Sequence, residues 1–278
     1  MAALQQNAQA TADEVVRVVD ISKRFGRLAA VDRLSLSIKA GEIFGLIGPN
    51  GAGKSTLAKM LTTLMPPSSG SASVAGYDIV RQPRDVRRRI GYVPQTLSAD
   101  GALSGVENMM LSAGLYGVPL SQQKRRVGEI LATMGLLDVA GRLAGKYSGG
   151  LLRRLEIGQS VLHRPAVLFM DEPTVGLDPS ARRSVWTHLL GLRRAYGATM
   201  LVTTHYMEEA EEYCDRIAMI ANGRIAAMGT PAELKAKIGA DATLEDAFER
   251  LVGAKSRGEF EIGYDRAGED RRASQQHG

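Results

Sequence analysis

The run Gly48-Pro49-Asn50-Gly51-Ala52-Gly53-Lys54-Ser55, followed by Thr56, has the residue types and spacing to hold a chain of phosphates. It fits G-x-x-x-x-G-K-[ST], in which glycines let the backbone turn its N–H groups inward as an anion nest, and the helix that follows adds its positive N-terminal end. Lys54 would bridge the β- and γ-phosphates of a nucleotide, and the Ser55 hydroxyl would ligate Mg²⁺. An ordinary glycine-rich strand-to-helix turn uses the same residue types, but here spacing and both flanks agree with nucleotide binding. A second group ends the apolar run Val167-Leu168-Phe169-Met170 in two carboxylates, Asp171 and Glu172. In a phosphate-loop enzyme an acidic residue on the neighbouring strand tip holds the magnesium, usually through water, and Asp171 is placed for that. Glu172, one residue on, would point toward the γ-phosphate and orient or deprotonate the attacking water. The acids could instead cap the next helix; Pro173 and the apolar run before them favour the site.

Such groups need a sheet with helices on it. Val15, Val16, Val18, Val19 and Ile21 read as one strand, and Leu34, Leu36 and Ile38 alternate with Ser35, Ser37 and Lys39 in a second. The short apolar run Ile43 to Ile47, interrupted by Gly45, delivers the phosphate loop. Leu57, Met60, Leu61 and Leu64 then recur at helical spacing, and Pro66 and Pro67 are expected to stop that helix. Ser98 to Arg164 is almost wholly helical in pattern, with Leu120 to Met134 and Leu151 to His163 as candidates, and reads as an inserted lobe. From Ala166 the β/α alternation resumes: a buried strand Val167 to Met170, a helix after Pro179, a strand Met200 to Thr203 and a helix from Tyr206. A hairpin closes the sheet, with Asn222-Gly223 between Ile217 to Ile220 and Ile225 to Met228. Leu244, Phe248 and Leu251 form a helical stripe. The fold class is therefore α/β. Residues 1–13 are expected to be a flexible segment and residues 255–278 a disordered polar tail. No internal repeat is visible, so a single nucleotide cassette is expected.

The bulk properties exclude several classes. With 44% hydrophobic and 23% charged residues over 278 positions, the chain has the composition of a globular enzyme. Its one cysteine, Cys214, permits no internal disulfide and reads as a packed core thiol. The formal charge of +5 comes from 35 basic and 30 acidic residues, a mixed surface for which no nucleic-acid partner is expected. Arg81, Arg84 and the run Arg87-Arg88-Arg89 read as a solvated face. No apolar run approaches the ~20 residues of a spanning helix, and Met1 to Glu14 lacks the pattern of a secretory signal, so the chain is expected to stay where it was made.

Shortly before the Asp171 strand lies Tyr147-Ser148-Gly149-Gly150-Leu151, which resembles the signature of ABC ATPases, usually written L-S-G-G-Q. With it the chain resembles the nucleotide-binding domain of ABC transporters over about residues 15–252. The resemblance implies a P-loop NTPase cassette within 14–254, with a RecA-like core, an antiparallel β subdomain and a helical subdomain inserted at about 97–164. It also implies that Gln95, in Gly91-Tyr92-Val93-Pro94-Gln95, is the Q-loop glutamine, contacting magnesium and water and sensing the membrane partner. Asp178 in Gly176-Leu177-Asp178 matches the D-loop, His205 after Thr203-Thr204 matches the switch histidine, and Phe25 matches the aromatic that stacks on adenine. His163, His188 and His277 lack such a context. Leu151 and Tyr147 depart from the signature; Ser148 and Gly150 are retained, so activity is expected to survive. Y-S-G-G with an apolar fifth residue, Arg153-Arg154-Leu155-Glu156-Ile157 and the ending Ala242 to Phe248 resemble the bacterial drug and antibiotic exporters, a daunorubicin-resistance-like ABC-2 type.

In that family Ser148, Gly149 and Gly150 of one subunit would contact the ATP held by the phosphate loop of the other, giving an ATP-sandwiched homodimer. Lys54, Ser55, Mg²⁺ and His205 would stabilise the transferred phosphoryl while Glu172 orients water, with ADP and phosphate as products. A separate membrane permease is implied, its cytoplasmic helix seated between the Gln95 loop and the helical lobe, which places the chain peripherally on the cytoplasmic face of the cell membrane. Rival readings are lipid or polysaccharide export, a non-transport ABC ATPase of translation or DNA repair, and a phosphate-loop kinase. The last two would need paired cassettes, long coiled coils or an acceptor site, and the kinase would have no signature.

Overall fold

The computed structural model describes residues 14–239 and 241–253. The expected flexible segment 1–13 and the expected tail 255–278, with His277, lie outside the described residues. β1 (Glu14–Phe25), β2 (Leu28–Lys39), β4 (Ser69–Val74) and β5 (Tyr77–Asp78) form an antiparallel sheet in the order β2-β1-β4-β5. The second sheet has the order β10-β9-β3-β8-β7-β6 and contains β3 (Ile43–Ile47), β6 (Ile90–Val93), β7 (Val167–Asp171), β8 (Thr199–Thr204), β9 (Arg216–Ala221) and β10 (Arg224–Gly229). All of its pairings are parallel except the β9–β10 hairpin. That hairpin turns on Asn222 (φ 50) and Gly223 (φ 75), the two positive φ angles its twist requires.

Alternation along the central strands divides the interior between two cores. Ile43, Ile47, Leu168, Met170, Val202 and Met219 face one side, packed on helices; Phe44, Leu46, Phe169, Leu201 and Ile220 face the other, packed on the antiparallel sheet and on Leu57, Met60, Leu61 and Val86. Strands covered on both faces are apolar along their length, and β3 and β7 are buried throughout, the one charged residue being Asp171 at the tip of β7.

Three helices lie between β6 and β7: α3 (Gly105–Leu115), α4 (Leu120–Thr133) and α5 (Gly149–Val161). The first begins at a capping box of Ser104 and Glu107. In the rest of the chain α1 (Lys54–Leu61) follows β3, α2 (Pro83–Arg89) precedes β6, and α6 (Pro179–Tyr196), α7 (Met207–Tyr213) and α8 (Pro231–Ala236) follow β7, β8 and β10. A last helix, α9, spans 244–253, with Leu244 and Ala247 buried and Phe248 and Leu251 packed on the core. Arg87, Arg88 and Arg89 on α2 are exposed, with Arg81 and Arg84, and Cys214 is buried, which pushes its thiol pKa up.

One helix end differs from expectation. Leu64 does not continue α1, and the prolines do not end it. Thr63 takes φ 61, its N–H donating to Met60 O at 3.1 Å while that of Leu64 donates to Lys59 O at 2.9 Å. This is a Schellman turn, which satisfies the last carbonyls locally and turns Leu64 outward, 61% exposed.

Glu209 on α7 is buried and accepts a hydrogen bond from Thr174 Oγ1 at 2.8 Å. Burial pushes its pKa up, and the Thr174 hydroxyl pulls it partly back. A carboxyl raised in the folded state adds stability that is fully present below its unfolded pKa, about 4.3, and is lost as pH rises through the folded value. Glu209→Gln keeps an oxygen for Thr174 without the buried charge. It is expected to raise Tm by about 2 °C or more at pH 8 and to lessen the fall of Tm as pH rises above the ordinary carboxylate value of about 4.3, read by calorimetry.

Candidate active site

β3 ends directly in the phosphate loop, and the loop is braced by a hairpin turn that is itself tied to β2. Gly223 N–H, in the β9–β10 turn, donates to Ala52 O at 3.0 Å, and Gly223 O accepts from Asp32 N–H on β2 at 2.9 Å. The packing explains the glycines at two positions. A Cβ on Gly48 would lie 2.3 Å from Ile220 O, and one on Gly53, at φ 105, would lie 2.4 Å from Ala30 O.

Lys54 opens α1 and is 4% exposed. Its Nζ donates to Gly48 O at 2.7 Å and Pro49 O at 3.2 Å, and stands 3.4 Å from Glu172 Oε1. Ser55 Oγ donates to Asp171 Oδ1 at 3.0 Å, and Thr203 Oγ1 donates to the same oxygen at 2.7 Å. Thr203 also accepts the Glu172 N–H, through Oγ1 at 2.9 Å and through its carbonyl at 3.1 Å. This fixes Glu172 at φ 50, a left-handed backbone that costs a non-glycine residue on the order of 1 kcal/mol. The other carboxylate oxygen, Oε2, has Gln95 Nε2 at 3.5 Å and His205 Nδ1 at 3.4 Å, the latter buried with no aligned hydrogen bond. Burial, and then the Asp171 charge, push the Tyr92 phenol up to about 12, so it is neutral beside these acids.

These groups surround a cavity of about 600 Å³ lined by Asn50, Gly51, Ala52, Gly53, Lys54, Ser55, Thr56, Gln95, Glu172 and His205, with Ala30 and Val175. Gly48, Pro49 and Asp171 stand behind that lining, held by the bonds just described. Phe25 does not line it: it is 48% exposed at the end of β1, its ring centroid 5.5 Å from Lys23 Nζ. Ser148, Gly149, Gly150 and Asp178 are also outside it. Ser148 caps α5, accepting Leu151 N–H at 3.4 Å, and Asp178 caps α6, accepting Ser180 and Ala181 N–H at 2.9 Å. The two caps adjoin: a Cβ on Gly150 would lie 3.0 Å from Ala181 Cβ, and one on Gly149 3.2 Å from Leu177 Cδ2. His163 and His188 are tied to backbone carbonyls, Ile90 O at 2.9 Å and Ser184 O at 2.6 Å, and take no part in the cavity.

A mobile anion with several charges would meet here a lysine, a helix N-terminus and inward loop amides, with a carboxylate beyond them to handle water. Comparison with known proteins supplies the family. Residues 31–175 match the model described as ABC transporter. The chain belongs to the ABC transporter family. The daunorubicin/doxorubicin resistance ATP-binding protein DrrA of Streptomyces peucetius is 42% identical over 255 residues, which cover 92% of this chain and 75% of that protein. The linearmycin resistance ATP-binding protein LnrL of Bacillus subtilis is 39% identical over 231 residues, covering 83% and 74%. Among solved structures, an ATP binding subunit of an ABC transporter superposes with a TM-score of 0.76 at 30% identity, covering 86% of this chain and 99% of that one. This ABC cassette is an ATPase of α/β fold whose nucleotide is ATP. No described helix of the cassette is long and apolar enough to cross a membrane.

Sequence reasoning passed over Thr203 as a functional group, as well as Ala30, Val175 and the Gly223 brace. Thr203 carried a usable signal, a hydroxyl at the end of an apolar strand running parallel to the acidic one. Ala30 and the Gly223 brace reach the site only through elements distant in sequence, whereas Val175 is local, its N–H donating to Glu172 O at 3.2 Å.

Proposed function

We propose that two copies of this chain close around ATP and that hydrolysis drives export of a drug, antibiotic or similar hydrophobic compound through a permease on a separate chain. One observation carries the two-copy reading. The phosphate-loop group lines one cavity, whereas Ser148 and Gly149 are exposed at a helix N-terminus outside it. An exposed helix start whose capping hydroxyl can still donate its hydrogen is suited to an anion, and on a two-fold dimer it would meet the partner's γ-phosphate. The cargo class rests on the relatives, which are named for resistance to daunorubicin, doxorubicin and linearmycin.

In this reading the loop amides and Lys54 bind the phosphates, Glu172 receives the proton of the attacking water, and Gln95 and His205 orient that water and the γ-phosphate. Ser55 Oγ and Asp171 Oδ1, 3.0 Å apart, are hard oxygen donors of the kind Mg²⁺ takes from protein alongside nucleotide phosphates, so they fit that ion. When bound it would neutralise charge on the β- and γ-phosphates. Phe25 would reach adenine, and Asp178 would brace the dimer contact from beside the signature. The cassette spans 14–254, with residues 97–164 as its helical lobe. A groove of about 260 Å³ lined by Tyr92, Pro94, Ser98, Leu111, Leu115 and Glu156, with exposed Tyr116, suits an amphipathic permease helix. The subunit would thus sit peripherally at the cytoplasmic face of the membrane.

Mixing inactive variants tests the shared site. Lys54→Met and Ser148→Arg should each abolish hydrolysis alone. In a mixed dimer one site combines an intact phosphate loop with an intact signature, so an equimolar mixture should recover up to about a quarter of the wild-type rate. A site contained in one chain would recover nothing.

A further inference from the structure

We propose that the buried Arg153–Glu156 pair is a positioning device that ties each subunit's own Gln95 loop to the signature helix it offers its partner, so that the two ATP sites act together; this rests on the two-copy reading above. Both side chains lie on α5, each 3% exposed, with Arg153 Nη1 3.1 Å from Glu156 Oε2. The arginine does more than pair. Its Nη1 donates to Pro94 O at 2.8 Å and its Nη2 to Gln95 O at 2.7 Å. The glutamate's Oε1 accepts from the Ser98 N–H, from Ser98 Oγ at 3.2 Å and from the Ala99 N–H at 3.3 Å. Two side chains thus grip the loop at both ends.

The loop has little else to hold it. Among the described residues, Pro94 to Ala99 make no backbone–backbone hydrogen bond outside regular structure. Its shape is therefore dictated by α5. At one end of this linkage Gln95 Nε2 stands 3.5 Å from the Glu172 carboxylate of the same chain. At the other, Arg153 lies about one turn inside a helix whose N-cap is Ser148. A hydrogen-bonded helix moves as a unit, so a shift of Gln95 around its own nucleotide displaces the serine offered to the other site. Glu156 and Ser98 also line the groove read above as the permease seat, which places the same pair under that contact.

Stability does not account for the pair. Replacing a buried ion pair by apolar residues of similar volume is often neutral or stabilising, so packing alone would be served by hydrocarbon. Hydrocarbon could not hold two loop carbonyls and two loop amides. Nor could lysine stand in for Arg153, because its single nitrogen cannot span carbonyls of successive residues and the carboxylate in the fixed fork of a guanidinium.

The experiment uses the full-length chain and measures ATP hydrolysis against ATP concentration, with binding of a fluorescent ATP analogue to the monomer as a control. The variants are Arg153→Lys and the doubly apolar Arg153→Met/Glu156→Leu. Wild type is expected to show a Hill coefficient clearly above one and no more than two, the number of sites. Both variants should bind the analogue within about twofold of wild type, hydrolyse at least about tenfold more slowly and show a Hill coefficient of one. A wild-type coefficient of one, or variants that keep the wild-type coefficient and turnover, would overturn the proposal. So would failure of both variants to fold, or a loss of rate matched by the unfolded fraction, since either makes the pair merely structural. Recovery in the mixing test with an unchanged Hill coefficient here would leave the shared site standing and remove only this inference.

Discussion

Glu172→Gln is expected to slow ATP hydrolysis by about 10²- to 10⁴-fold while ATP still binds, the range a positioned general base contributes. Thr203 fixes the backbone of Glu172 at φ 50, and Lys54, Gln95 and His205 converge on its carboxylate. Glutamine keeps the length, the shape and a carbonyl oxygen for those neighbours. It loses the ability to take a proton from water and the charge that faces Lys54, whose Nζ keeps its bonds to the Gly48 and Pro49 carbonyls. On the proposed two-copy reading ATP should then persist between the copies, so the variant is expected to run as a dimer in size exclusion with ATP and as a monomer without it. Phosphate release within tenfold of wild type would rule Glu172 out as the base.

Lys54→Met is expected to harm both binding and stability. Lys54 and Glu172 face each other at 3.4 Å with side chains 4% and 9% exposed. Removing one member of a buried pair strands the other charge, at about 3–5 kcal/mol, and the nearby Gln95 and His205 set the expectation at about 3 kcal/mol. Loss of charge-assisted bonds to phosphate should weaken ATP binding by about 10- to 100-fold. The double variant Lys54→Met/Glu172→Gln separates the two effects. It should regain most of the denaturation midpoint, because no charge is stranded, yet hydrolyse no ATP. An unaltered midpoint for Lys54→Met alone would mean that the pair does not contribute to folding.

The parts of the site that could be read from sequence are those whose geometry is local. Gly48 to Ser55 is one turn and one helix start, so spacing determines its shape, and Asp171-Glu172 is the tip of one strand. The Asn222-Gly223 turn is equally local, and its positive φ angles follow from its residue types. What the turn grips is not local: its bond to Ala52 exists because β9 lies beside β3, a pairing that spacing along the chain does not specify. Thr203 escapes for the same reason, since its contact with Asp171 depends on β7 and β8 being in register. Leu64 misled because its helical spacing was real, while Thr62 and Thr63 closed the helix before it. Gln95 and His205 were assigned only by resemblance, and their common neighbour Glu172 became apparent in three dimensions. The adjacency of Gly149 and Gly150 to Leu177 and Ala181 was likewise beyond the reach of periodicity.

The brace on the phosphate loop also bears on how the molecule is made. A ribosome releases Gly48 to Ser55 early, but β3 pairs with β8 and β9, and Ala52 waits for Gly223. Such distant pairings form late, after the chain between them has emerged. A nascent chain that stops before β9 has every residue of the loop and the β8 strand on one side of β3, but neither β9 on the other side nor the Gly223 brace. The complete phosphate loop, with its Ala52 carbonyl held, is therefore expected only once synthesis has passed the hairpin.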